Sequence, residues 1–145
     1  MRFMEHLKPL SLFLLRLALG AIFIEHGYPK LFTNHNASVQ SFAHMGLPGY
    51  FATIFGALEF FGGMLLIAGL LTRIVALLFS IEMAIDLVRV ELPHVGVYAI
   101  AKYELPLVLC AAAFALATAG AGAISLDRIT FEGGRSAPKR PKTAN

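Results

Sequence analysis

Four long apolar stretches, interrupted by isolated ionisable residues, constrain this chain more than anything else in it. They run over Leu10–Ile24, Tyr50–Leu71, Ile74–Val88 and Leu105–Ala123, with Arg16, Glu59, Glu82 and Asp86 lying inside the first three. A helix that packs on a water-soluble core keeps a polar face for solvent. These stretches have almost none. With 57% hydrophobic residues and a mean hydropathy of +0.70, the chain reads as all-α, an integral membrane four-helix bundle. Three parts are expected: a short segment at 1–8, a membrane domain at 9–127, and a basic, disordered tail at 128–145. Four spans leave no room for a separate catalytic domain.

Punctuation along the chain sets the span ends. Pro9 suits a first helical position, and the first helix reaches spanning length if it continues through Glu25 and His26. Gly46-Leu47-Pro48-Gly49 is a turn signal before the second span. Thr72-Arg73 makes the next connection very short, so spans two and three form an antiparallel hairpin. Pro93 ends the third span, and Pro106 falls in the first turn of the fourth. The segment from Phe32 to Leu47 has room for a short amphipathic turn around Ser38–Met45. The N-terminus has some features of a secretory signal, but Arg16 interrupts its apolar region, and an uncleaved first span is expected.

Basic residues orient such a protein. Arg2, Lys8, Arg73, Arg128, Arg135, Lys139, Arg140 and Lys142 fall on one side, and Lys30, Arg89 and Lys102 on the other. Both termini are therefore expected in the cytoplasm. The same distribution accounts for a pI of about 9.2 without any nucleic-acid partner. The partner read from composition is the lipid bilayer. The single cysteine, Cys110, cannot form an internal disulfide and reads as a small core residue.

The charges inside the spans are the functional question, because an ionisable group in hydrocarbon is costly unless paired or beside a cavity. A rise of about 1.5 Å per residue puts Arg16 and Glu82 in the inner half and Glu59, Asp86 and His26 deeper toward the outer face. Lys30, Arg89 and Glu104 fall at the outer rim. The pattern suggests a polar cavity opening outward. Glu82, Asp86 and Arg89 share a helix face by their spacing. Arg16 is expected to pair with Glu82 or Glu59 as the cavity floor, or else to snorkel to the headgroups. Phe23, Phe55, Phe60 and Phe79 are expected as apolar walls. Gly56 and Gly63 flank Glu59 on one side of the second helix, and Ala113, Ala117 and Ala121 share a side of the fourth. Small residues at such spacings let helices approach closely. No histidine or carboxylate spacing supports a metal site.

An ordered set of short motifs completes the reading. Arg16-Leu17-Ala18-Leu19-Gly20 is followed by His26-Gly27-Tyr28-Pro29-Lys30-Leu31-Phe32, then by Gly46-Leu47-Pro48, Glu59, Gly69-Leu70-Leu71-Thr72-Arg73 and Ser125-Leu126-Asp127. In order and spacing the chain resembles the DoxX family of bacterial membrane proteins, from about Leu10 to Asp127. The resemblance implies a multi-pass protein of the bacterial inner membrane, similar to the membrane subunit of a thiosulfate:quinone oxidoreductase. Carried over by motif, it singles out Arg16, His26, Lys30, Glu59 and Arg73, with Arg73 in a structural and topological role beside Gly20, Gly27, Gly56 and Gly63.

Three functions stay open. The first is the membrane subunit or anchor of a quinone-linked redox complex, with quinone as ligand and a soluble redox protein as partner. There is no haem-ligand pattern, flavin motif or thiol pair, so the chain alone is not a complete enzyme. The second is a small proton-coupled transporter, which would need to form a homo-oligomer. The third is a scaffold or assembly protein whose charges fix helix register.

Overall fold

The computed structural model describes residues 2–91 and 100–127. Among them the chain is all-α, with five helices and no strand. Helix α1 covers Arg2–Tyr28 and continues through a π-helical turn at Pro29–Thr33. Helix α2 covers His35–His44, α3 Tyr50–Ala68, and α4 Thr72–Asp86, the last continued by a second π-helical turn at Leu87–Glu91. Helix α5 covers Ile100–Ala119. Pro93, His94 and the tail from 128 lie outside the described residues.

Several boundaries differ from those read in the sequence, each for a local reason. Helix α1 starts at Arg2 and carries Pro9 inside it. Pro106 likewise sits within α5, since the helix begins at Ile100. Helix α3 stops at Ala68, short of Leu71, because Gly69 turns left-handed at φ +75°. There the Leu70 N–H bonds the Leu65 carbonyl at 2.9 Å and the Gly69 N–H bonds Leu66 at 3.1 Å, which is a Schellman C-cap. Gly120, at φ +86°, follows the end of α5, so Ala121 lies beyond the helix that was expected to contain it. The amphipathic turn expected around Ser38–Met45 is a full helix, α2.

Glycines set the closeness of α1 and α3, which lie along one another. A Cβ on Gly20 would stand 2.7 Å from the Gly63 carbonyl oxygen, and one on Gly63 would stand 2.7 Å from that of Gly20. Further along the same antiparallel seam, a Cβ on Gly27 would meet the Gly56 carbonyl oxygen at 2.7 Å. Backbone carbonyls and the Ile67 and Ile24 side chains crowd these crossings, 2.6–2.7 Å from such a Cβ, the close approach that small-residue seams between helices permit.

Helices α4 and α5 form the other close pair. Ser80 donates its hydroxyl to the Cys110 carbonyl at 3.2 Å, and the Cys110 thiol donates to the Ser80 carbonyl at 3.3 Å. Cys110 is therefore a half-buried interhelical stitch. Between the pairs, the Phe23 and Phe79 rings stack at 3.7 Å and 14°, joined by Leu19, Leu66, Val75 and Leu116.

The outer surface is apolar. Leu14, Ile54, Phe61, Ile74, Ile81, Val108 and Phe114 are exposed, whereas Arg16, Glu59 and Glu82 are buried. This inverts the arrangement of a water-soluble domain. The α1 segment from Leu7 to Thr33 and the helix Tyr50–Ala68 are each long and apolar enough to cross a membrane.

Candidate functional site

A cavity of about 210 Å³ lies at the end of the molecule where α1 and α4 finish. Apolar side chains from α2, α4 and α5 line much of it, with His26, Lys30, Glu59, Glu82, Asp86 and Arg89 as its polar groups. Two of these polar groups, Lys30 and Arg89, are placed by π-helical turns. Pro29 has no N–H to extend the α1 ladder, and the chain widens into a π turn that the Asn34 N–H closes on the Pro29 carbonyl at 2.8 Å. Lys30 sits in this turn. The second π turn places Arg89. Single π turns inside helices frequently mark functional sites, and both of these border the same cavity.

Lys30 bonds Glu59 through Nζ and Oε1 at 2.7 Å. The Glu59 side chain is fully buried, and Lys30 keeps 26% exposure. A Cβ on Gly56 would lie 2.9 Å from the Lys30 Cβ, so glycine at that position lets the lysine reach across α3. Among the described residues, the second Glu59 oxygen, Oε2, has no hydrogen-bond partner, nor does either Glu82 oxygen. Glu82 is 4% exposed. Its carboxyl lines the same cavity as that of Glu59. Carboxylate oxygens are both acceptors, so a bond between them exists only when one carries a proton.

Arg16 lies elsewhere, which corrects the expected ion pair with Glu82 or Glu59. Its guanidinium donates to the carbonyls of Ala121 and Ile124, both at 2.6 Å, and through Nε to Leu66 at 3.2 Å, with a longer approach to Ile67 at 3.5 Å. It is 1% exposed, so it does not snorkel. The last carbonyls of a helix lack intrahelical donors, and Arg16 supplies one to the end of α3 and two to the strap after α5. The opposite-end placement has a simple cause. Arg16 and Lys30 are fourteen residues apart on one helix, or about 21 Å. A pairing argued from depth alone overlooked the carbonyls at the near end.

The expected walls also change. Phe55 lines the cavity. Phe23 and Phe79 are stacked in the core, and Phe60 joins Tyr28 and Phe32 in a ring cluster. Arg73 is exposed and packs over Gly120, whose Cβ would stand 2.9 Å from its Nε. Among the described residues, no three His, Cys, Asp or Glu side chains converge as a metal site would require.

The DoxX family profile matches residues 11–91. The chain belongs to the DoxX family. It is also 35% identical over 122 residues, covering 83% of this chain and 87% of the relative, to a Bacillus subtilis (strain 168) protein named "Putative oxidoreductase CatD". No solved structure matches it. All six polar groups of the cavity fall inside the DoxX match, while α5 falls outside it.

Two residues of this DoxX chain have roles that the sequence reading did not assign. Asp127 accepts from the Leu71 N–H at 2.7 Å and the Thr72 N–H at 2.9 Å, and its own N–H bonds the Gly69 carbonyl at 2.9 Å. It caps α4 from a distance of more than fifty residues in sequence, the kind of cap usually supplied locally. The only signal for it was its place in the closing Ser125-Leu126-Asp127 motif. Arg89, assigned to the outer rim, lines the cavity. Its spacing of three from Asp86 and seven from Glu82 already put it on their helix face.

Proposed function

We propose that this DoxX protein is a multi-pass, inner-membrane four-helix bundle with both termini in the cytoplasm, acting as the membrane subunit of a quinone-linked redox complex. The observation that carries the reading is the cavity, in which buried acceptor oxygens of Glu59 and Glu82 have no partner among the described residues and stand beside apolar walls. Ligand sites commonly combine apolar walls with a few placed polar groups. The volume is below the roughly 300–1,000 Å³ of sites that enclose a drug-sized ligand. It suits a quinone headgroup whose isoprenoid tail lies in lipid. Lys30 and His26 would donate to the ring oxygens, and Glu82 would accept from a hydroxyl of the reduced ring.

The span count draws on α4 and its π turn, which run from Thr72 to Glu91, about the length that a bilayer requires. Helix α5 supplies the apolar segment Tyr103–Ala119. Orientation draws on the excess of Lys and Arg at the Arg16 end. The name of the Bacillus relative supports a redox setting. A soluble redox protein would supply the electrons, since the chain carries no redox motif of its own.

The test is purification of the tagged protein from membranes in mild detergent, followed by mass spectrometry and quinone extraction. The reading expects a stoichiometric redox enzyme or bound quinone. A preparation holding only phospholipid, with no quinone binding on titration, refutes it and moves weight to the transporter. Glu59→Gln separates a register scaffold, which would keep its function, from proton chemistry, which would not.

A further inference from the structure

The cavity's buried charges do not balance as they stand. Lys30 contributes one positive charge beside two carboxyl groups that line one cavity, Glu59 fully buried and Glu82 nearly so. An isolated ionised carboxylate in a low-dielectric interior is costly enough that such groups neutralise instead. Two carboxylates sharing a site cannot readily both ionise. Lys30 compensates one of them, through Glu59 Oε1. Among the described residues nothing donates to the other. Of the remaining polar groups of the cavity, His26 acts on Glu59 and not on Glu82, and Asp86 adds like charge beside Glu82. His26 and Asp86 are half-buried and Arg89 is exposed, while α2 and α5 contribute only apolar side chains.

We propose that Lys30, Glu59 and Glu82 form a neutral unit that holds one exchangeable proton between the two carboxyl groups and presents it to the cavity's occupant. With that proton in place, the two carboxyls make a hydrogen bond, Glu82 O–H donating to Glu59 Oε2. Every buried polar atom of the unit is then satisfied except one Glu82 oxygen, which remains for the ligand. When the unit gives up its proton, the Glu82 O–H turns from Glu59 to a ligand oxygen that has become basic, and the O–H bond breaks at Glu82 as it forms on the ligand. Two carboxylates then face one ammonium. The excess negative charge draws a proton back through the cavity mouth. The role fits the quinone reading, since quinone chemistry exchanges protons, but the charge rule itself requires no quinone.

The experiment measures the infrared carbonyl band of protonated carboxylic acid, per mole of folded protein, in lipid vesicles at neutral pH without added quinone. Neutrality fixes the pattern relative to the native chain. Glu82→Gln loses the band, because Glu59 stays ionised opposite Lys30. Glu59→Gln also loses it, because Glu82 then ionises to match Lys30. Lys30→Met doubles it, because both carboxyls must now be neutral. The double variant K30M/E59Q returns it to the native intensity. If Glu59→Gln fails to fold, Glu82→Gln and Lys30→Met decide. A native protein without the band, or Lys30→Met with an unchanged band, overturns the proposal. Quinone titration on the same vesicles tells the two ideas apart. The band pattern without quinone binding removes the redox reading alone, and quinone binding with an unchanged Lys30→Met band removes the proton unit alone.

Discussion

Arg16 offers the sharpest test of how this fold is held together. Its side chain ties the C-terminal end of α3 to the strap that follows α5 through bonds of 3.2, 2.6 and 2.6 Å. Replacement by Met keeps much of the volume and removes every donor. Side-chain hydrogen bonds between membrane helices are worth about 0.6 kcal/mol on average and about 1.7 at most. Three of them give a loss of roughly 2–5 kcal/mol, large beside a typical protein stability of about 5–15 kcal/mol. Arg16→Lys should fall between, since one ammonium cannot reproduce a planar fork reaching carbonyls on two separate segments.

The assay is reversible unfolding in mixed detergent micelles, followed by helical circular dichroism. A double-mutant cycle with Glu59→Gln supplies the control. If Arg16 acts on carbonyls, the two sites are independent and their effects add to within about 0.5 kcal/mol. A loss below 1 kcal/mol for Arg16→Met refutes the carbonyl clamp. A coupling of 1 kcal/mol or more with Glu59 would instead restore the ion pair that the structure argues against.

Three further outcomes follow from the same geometry. Asp127→Ala removes the cap from two N–H groups of α4 and should cost about 0.5–2 kcal/mol, read by the same unfolding assay; no loss would mean the strap is not what holds the start of α4. Leu71 adopts φ +51°, a conformation costing an L-residue about 1–2 kcal/mol, so Leu71→Gly should be neutral or stabilise by up to about 1 kcal/mol, and a clear loss would contradict that. Gly63→Ala drives a Cβ to 2.7 Å from the Gly20 carbonyl and should destabilise by about 1–3 kcal/mol as an overpacked contact, whereas Gly46→Ala, with open space around its Cβ, should cost only the strain of its positive φ.

What the sequence made legible follows from what each signal measures. Apolar length and small-residue spacing report on a single helix, so α1, α3 and the Gly56/Gly63 seam could be read directly. Helical spacing likewise put Glu82, Asp86 and Arg89 on one face before any tertiary contact was known. The partner of Arg16 was not readable, because backbone carbonyls have no letter in the sequence; only charged side chains were available as candidates. The remote cap by Asp127 was hidden for the same reason, since capping patterns are recognised by local order. Phe55 lines the cavity as read, but Phe23, Phe60 and Phe79 were misassigned, because apolar character alone does not tell a ring packed on other rings from a cavity wall.

The two ends of the molecule treat buried charge differently, and the contrast bears on function. At the Arg16 end, one cation meets several carbonyls at bonding distance and is itself 1% exposed. Such a group fixes helix register and needs nothing from outside. At the Glu59 end, three carboxyl oxygens have no donor among the described residues, beside a cavity of about 210 Å³. A scaffold has no use for that arrangement, because a well-packed apolar residue in place of Glu82 would be as stable or more so. The scaffold reading therefore accounts for Arg16 and leaves Glu82 unexplained. Glu82→Met draws the line between them: a scaffold gains or keeps stability and keeps its function, whereas a proton-exchanging ligand site gains or keeps stability and loses ligand-linked proton uptake. Stability that rises while function falls is the signature of a group retained for chemistry.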